Sequence, residues 1–234
     1  MREPLSRERV LAAAVALADT DGIGALTMRR LAADLGVEAM SLYYHLPGKD
    51  GLLDGLSETI VDEIANAVNN ADSSIGQPQA ARPRKAAETA EAPDDWRARL
   101  RRWFLAARAV MNSHPWAPAL MTKRRAPAGV YPYYERILAL LIQAGFSYHL
   151  AHRAMHAFGS MPLGFVQEAF NPAGDETATT EADFAAMAEQ MPHMAAMVAA
   201  EMHRDTDPIL GWCDSQAEFE FTLDLLLDGL ERAR

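Results

Sequence analysis

The chain has 234 residues, half of them hydrophobic, 23% charged and 8% aromatic, which is enough to bury a sizeable core as one large domain or two small ones. No apolar run approaches the roughly 20 residues that cross a bilayer, Met1-Arg-Glu-Pro-Leu-Ser lacks a signal peptide's apolar core, and the single cysteine, Cys213, excludes an intrachain disulfide framework and a cysteine-based zinc cluster, so a reducing cytoplasm is the expected setting. The net charge of -10 is unevenly spread: residues 1–170 carry 19 Lys+Arg against 18 Asp+Glu and residues 171–234 carry 3 against 14, which rules out a uniformly basic nucleic-acid coater and confines any anion-binding patch to the upstream part.

The periodicity is helical nearly throughout. Ser6 precedes Val10, Leu11, Ala14, Leu17 and Ala18, one buried stripe at i, i+3, i+4 spacing, with Ser6 as N-cap and Leu5 and Val10 as a hydrophobic staple. That helix is expected to stop at Asp21-Gly22. Thr27 repeats the start signal, with Leu26 and Leu31 as staple partners, and this second helix ends at Gly36. A short third helix, about Glu38 to Tyr44, turns Leu42 inward and is broken by Pro47-Gly48. A fourth runs from Lys49 through Leu52, Leu56, Ile60 and Ile64 to Val68.

Asn69 to Asp94 holds three prolines, no aromatic residue and one large aliphatic, Ile75, and is expected to be a flexible linker or insertion. Trp96 opens a helix to about Asn112, and a short piece begins at Pro115. Further helices cover about Ala128–Ala144 and Ser147–Phe170, a Met/Ala-rich segment covers about Glu181–His203, and Ser215-Gln-Ala-Glu218 is a capping box before Phe219, Leu223, Leu226, Leu227 and Leu230. No strand and no internal repeat is expected. The expected domains are 1–50, a connecting helix 51–68, the insertion 69–94 and a larger domain 95–234.

Residues 27–46, TMRRLAADLGVEAMSLYYHL, place two short amphipathic helices around a tight Leu35-Gly36-Val37 turn. Ala32 permits close approach and Gly36 takes the turn conformation. The result is a helix-turn-helix whose second helix offers Ser41, Tyr43, Tyr44 and His45 to a major groove about 12 Å wide. The stretch LGVEAMSLYYHLPGKDGLL resembles the signature of the TetR family of bacterial transcriptional regulators, over about residues 6–65. Residues 96–234 resemble, more loosely, the tetracycline-repressor-type C-terminal domain, at HPW (114–116), GF (164–165) and FEFTLDLLLDGLE (219–231).

The resemblance implies an all-α protein with an N-terminal three-helix DNA-binding domain and a larger helical ligand-binding and dimerisation domain. It implies that Thr27 caps the second helix and binds phosphate, and that Arg29 reaches a base edge or a phosphate. Ala39, Met40 and Ser41 would face bases, while Tyr43, Tyr44 and His45 would contact phosphates or thymine methyls and Lys49 would meet a phosphate. Packing for Tyr43 and a helix C-cap for His45 are the alternatives at those positions. Glu38 stands where relatives carry Ser or Thr, and Ala39 and Met40 favour apolar contact with thymine methyls over hydrogen bonding.

For the larger domain, an internal apolar pocket is the default site. Trp103, Met111, Trp116, Met121, Tyr134, Met155, Phe158 and Phe165 are the candidate liners, with His114 and His152 as polar ones; each is equally a candidate for ordinary core. His149, His152 and His156 share a helix face, which permits a metal, but Arg153 adjoins them and no metal or other cofactor is expected. Lys123-Arg124-Arg125 is read as a solvated loop or as facing the DNA-binding domain. Phe158, Leu163, Gly164, Phe219, Leu223 and Leu226 are the candidate dimer interface, with closure of the monomer's own core as the alternative.

The function this implies is a repressor that binds a palindromic operator on double-stranded DNA as a homodimer and is released by a small, largely apolar effector. A ligand-independent regulator or an activator is the alternative. No membrane partner is expected. The chain has no GxSxG, P-loop, HExxH or paired cysteines, so no enzyme is expected.

Overall fold

The computed structural model describes residues 4–75, 95–165, 188–201 and 215–234, and among them every regular element is helical. The helices are α1 (Arg7–Asp21), α2 (Met28–Leu35), α3 (Ala39–Tyr43), α4 (Gly48–Ile75), α5 (Trp96–Ser113), α6 (Ala117–Lys123), α7 (Tyr131–Gln143), α8 (Tyr148–Gly164), α9 (Pro192–Glu201) and α10 (Ser215–Ala233). None of the described helices is long and apolar enough to cross a membrane. The chain divides into two compact units, one of Met1–Val166 with Leu223–Arg234 and one of Gln167–Thr222.

Local chemistry sets the first three helices. The Ser6 hydroxyl accepts from the Arg9 N–H at 3.2 Å, and the Thr27 hydroxyl accepts from the Arg30 N–H at 3.2 Å. Each satisfies one of the donors that a helix start leaves open. Gly36 ends α2 in the left-handed region, φ 66° and ψ 38°, which a β-carbon disfavours, and the reversal sends the chain into α3. Leu26, Leu31, Leu42 and Leu46 are fully buried and anchor both short helices from below, each contributing roughly 1.5–3 kcal/mol of burial. α1 packs on α4 at Gly55, where an added Cβ would stand 2.7 Å from Leu11 Cδ2 and the leucine side chain would have to shift.

α4 runs on through residues 69–75, which composition assigns to the insertion; residues 76–94 lie outside the described part. The capping preference explains α5: the Asp95 carboxylate accepts from the N–H groups of Arg97 and Ala98 at 3.0 and 3.2 Å. α5 packs along α4, and α8 packs on α5 and α7. The helix expected over 128–144 begins instead as a 3-10 turn, Ala128–Val130, and becomes α7 only where Pro132 fits its first turn. α8 is capped by Ser147 and closes at Phe165; residues 166–170 of the expected helix lie outside the described part. α6 begins at Ala117, two residues past Pro115.

The acidity of the last quarter has a local counterpart. Arg97 and Arg101, one turn apart on α5, meet Asp228 and Asp224, one turn apart on α10, at 2.5 and 3.1 Å. These side chains are a third to a half exposed, so each pair contributes about 0–1 kcal/mol and mainly sets the register of the two helices. In the second unit, α9 buries Ala195 and leaves Met194 and Met197 exposed, as is Met191 just before it; residues 181–187 and 202–203 of the expected segment lie outside the described part.

Candidate nucleic-acid interface and internal cavity

α3 presents its polar and aromatic side chains outward because its one buried residue, Leu42, fixes which face is inward. Met40, Tyr43 and Tyr44 are 70%, 48% and 88% exposed. Ala39, Ser41 and His45 are half-buried, and Thr27, Arg29 and Lys49 are exposed around them. The Tyr43 ring lies beside the start of α4, where a Cβ added to Gly48 would stand 3.9 Å from its Cε1. Of the nine residues expected to meet DNA, six are thus exposed and three half-buried, and they lie at the start of α2, on α3 and the turn after it, and at the start of α4. Glu38 makes no capping hydrogen bond and is exposed, so this surface carries an uncompensated acid at its edge.

Three residues, His114, Trp116 and Arg124, tie this region to the helices that follow. Buried His114 lies between two carboxylates, with Nδ1 2.7 Å from Asp19 of α1 and Nε2 3.1 Å from Glu63 of α4. The Trp116 indole N–H donates to the same Asp19 oxygen at 2.6 Å. Arg124 donates to Asp50 and Asp54 of α4, both at 3.0 Å, so within the basic triplet it is Arg124 that turns toward the DNA-binding end. Those two carboxylates, Asp54 first, hold the guanidinium's pKa above its ordinary value. Arg7 of α1 donates to Glu58 of α4 at 2.6 Å, and Gly129 lies against that same carboxylate.

A cavity of about 610 Å³ opens among α4, α5, α6, α7 and α8. α4 contributes Val61 and Ile64, α5 contributes Phe104, Ala107 and Met111, and α6 contributes Met121. Tyr133, Tyr134, Ile137 and Leu138 come from α7, and Tyr148, His152, Met155, His156, Gly159, Ser160, Pro162 and Leu163 from α8. The walls are apolar and aromatic, with the imidazoles, the phenols and the Ser160 hydroxyl as polar points. Burial pushes the Tyr133 phenol up to about 12, with a smaller opposing effect from the Trp103 indole, so this hydroxyl is a neutral hydrogen-bonding group at ordinary pH.

Of the candidate liners, Met111, Met121, Tyr134, His152 and Met155 face this cavity. The others are placed elsewhere. His114 and Trp116 are committed to Asp19. Trp103 lines a separate cavity of about 200 Å³ with Arg99 and Arg136, the Arg136 guanidinium lying over its ring at 5.1 Å. Phe158 stacks on Phe104 at 5.2 Å within the core, and Phe165 sits under Arg108 at 5.7 Å. Leu163, a candidate for the dimer interface, lines the cavity instead. Tyr133, Tyr148 and Ser160, and the α4 pair Val61 and Ile64, are liners that periodicity did not single out.

The dimer candidates divide by exposure. Phe158, Phe219 and Leu223 are buried within the chain, the placement that goes with closure of the chain's own core. Gly164 is exposed, and Leu163 and Leu226 are half-buried.

Residues 89–234 match the family model for the tetracyclin repressor-like C-terminal domain, and residues 10–56 match that for bacterial regulatory proteins of the tetR family. The chain belongs to the TetR family. It is 30% identical over 200 residues to an HTH-type transcriptional regulator of Saccharopolyspora erythraea, a match spanning 80% of this chain and 75% of that protein. It is 28% identical to the class C tetracycline repressor protein of Escherichia coli, over 98% of this chain and 92% of that one. Among solved structures, a possible TetR family transcriptional regulator from Streptomyces coelicolor A3(2) superposes with a TM-score of 0.68 at 28% identity, covering 98% of this chain and all of that one. As in the TetR family, the chain is an all-α DNA-binding transcriptional regulator, with an N-terminal helix-turn-helix followed by a helical C-terminal domain.

Proposed function

We propose that this regulator represses transcription in the cytoplasm by binding a palindromic operator as a homodimer, and that a small, largely apolar molecule entering the 610 Å³ cavity releases it. The observation that carries this reading is the path of α4. It begins at Gly48, beside Lys49 and Tyr43, and passes the cavity at Val61 and Ile64. Along the way its own Asp50, Asp54, Glu58 and Glu63 are held by Arg124, Arg7 and His114 from other parts of the chain. A molecule pressing on Val61 and Ile64 moves a helix that also sets the position of α3, which is how a preference for one of two conformations becomes a change in DNA affinity.

A single five-residue recognition helix makes few base contacts, whereas two of them about 34–36 Å apart on one duplex face multiply the contacts. Exposed Gly164 and Leu225 with half-buried Leu226 are the surface we assign to the second copy, in place of the buried phenylalanines. No catalytic role is proposed for any residue. The test pairs two assays: a thermal-shift panel of small aromatic and aliphatic metabolites, and a mobility shift on DNA upstream of the chain's own coding sequence. The compound that raises the melting temperature is expected to dissociate the DNA complex. Stabilisation by ligand with DNA affinity unchanged would contradict the reading.

A further inference from the structure

We propose that His152 and His156 form a chelating site for a divalent transition-metal ion in the wall of the cavity. The two residues are one turn apart on α8, both are exposed, and both line the cavity. Their rings meet edge to face with centroids 4.7 Å apart, and the Nε2 atoms converge to 3.2 Å. Zinc–imidazole bonds are about 2.0–2.1 Å long, so two nitrogens at this separation subtend about 100° at a shared ion, between the octahedral and tetrahedral angles. The arrangement needs no movement of the helix. An ion there takes the place of the proton between the two nitrogens; each ring then binds through Nε2 and carries its single proton on Nδ1, so the neutral pair releases no net proton.

The donor set also selects the ion. α8 carries no Asp or Glu, so its chelating groups are imidazole nitrogens, which suit Zn²⁺, Cu²⁺, Ni²⁺ and Co²⁺ and are poor ligands for Mg²⁺ and Ca²⁺. Among the described residues no group of three or more His, Cys, Asp or Glu is placed to hold an ion, so this is a two-nitrogen site whose remaining positions are filled by water. His149, one turn earlier and exposed, does not line the cavity. Arg153 is exposed beside the pair and limits affinity by its charge. Occupancy of this site and of the cavity it borders are thermodynamically linked.

The inference stands apart from the repressor reading, because metal affinity is measured on the chain without DNA or effector. Calorimetric titration with Zn²⁺ and visible absorption with Co²⁺ are the readouts, with Mg²⁺ as the control ion and circular dichroism to establish that each variant is folded. The expected result is one Zn²⁺ per chain, with affinity lowered about a hundredfold in both His152→Ala and His156→Ala, since each turns a chelate into a single ligand. His149→Ala is expected to bind as the unaltered chain does, and Mg²⁺ is expected to give no heat. Binding that survives either substitution, an equal loss in His149→Ala, Mg²⁺ bound as tightly as Zn²⁺, or no Zn²⁺ bound at all would each overturn the proposal.

Discussion

His114 Nδ1 lies 2.7 Å from the Asp19 carboxylate, joining the turn after α5 to the first helix of the DNA-binding region across 95 residues of sequence. Asp19 also receives the Trp116 indole N–H, and both rings are buried. Removing the carboxylate therefore strands two buried polar groups at once. Asp19→Ala is expected to lower stability by about 1–3 kcal/mol. In a double-mutant cycle with His114→Ala, urea denaturation is expected to return a coupling energy of about 0.5–3 kcal/mol. A coupling near zero would show that the contact does not join these elements.

Gly159 faces the cavity from α8, and an added Cβ there meets no heavy atom within 4 Å. Gly159→Leu is expected to fill part of the cavity from a Cβ position that is open and to raise helix stability by up to about 1 kcal/mol. The variant is expected to hold operator DNA normally while losing the thermal shift given by the effector. Thermal shift and mobility shift on the same preparation check this; a retained ligand response would place the effector elsewhere.

Tyr44 is almost fully exposed and Lys49 stands at the start of α4. Tyr44→Ala and Tyr43→Ala are expected to weaken operator binding while changing stability by less than about 0.5 kcal/mol. Lys49→Ala is expected to weaken all DNA sequences alike and to reduce the slope of log affinity against log salt by about 0.9. Fluorescence anisotropy across a salt series separates the two behaviours.

Burial raises the Tyr133 phenol to about 12, and burial is the larger cause for the raised Tyr134 as well. A raised pKa means that the folded chain holds this proton more tightly than the unfolded one. The associated stability is complete below the ordinary tyrosine range, about 10, and is lost as pH rises from there through about 12. Ultraviolet titration is expected to show one phenol ionising last, coincident with unfolding and absent in Tyr133→Phe. Full tyrosinate formation near pH 10 in the folded protein would contradict the burial argument.

What was legible in the sequence was local. Ser6, Thr27 and Gly36 act within four residues of themselves, so cap chemistry and turn geometry could be read directly, and the outward face of α3 followed from Leu42. What stayed hidden was non-local. Trp116 and His114 look like pocket liners until Asp19 is known to lie beside them. Phe158 and Phe219 sit on stripes that would serve a partner equally well, and only the folded chain shows that they are spent on its own interior. Val61 and Ile64 belong to a helix whose periodicity reads as plain core, so nothing in their spacing marks them as cavity wall.

The central claim is that paired α3 helices read a palindromic operator through the Tyr43, Tyr44 and Lys49 surface. Hydroxyl-radical footprinting on the DNA upstream of the chain's own coding sequence tests it most directly. The predicted result is two symmetric protected half-sites on one face of the duplex, centred about one helical turn apart (~34–36 Å), with both lost in Tyr44→Ala. A single protected site, or protection that Tyr44→Ala leaves intact, would contradict it.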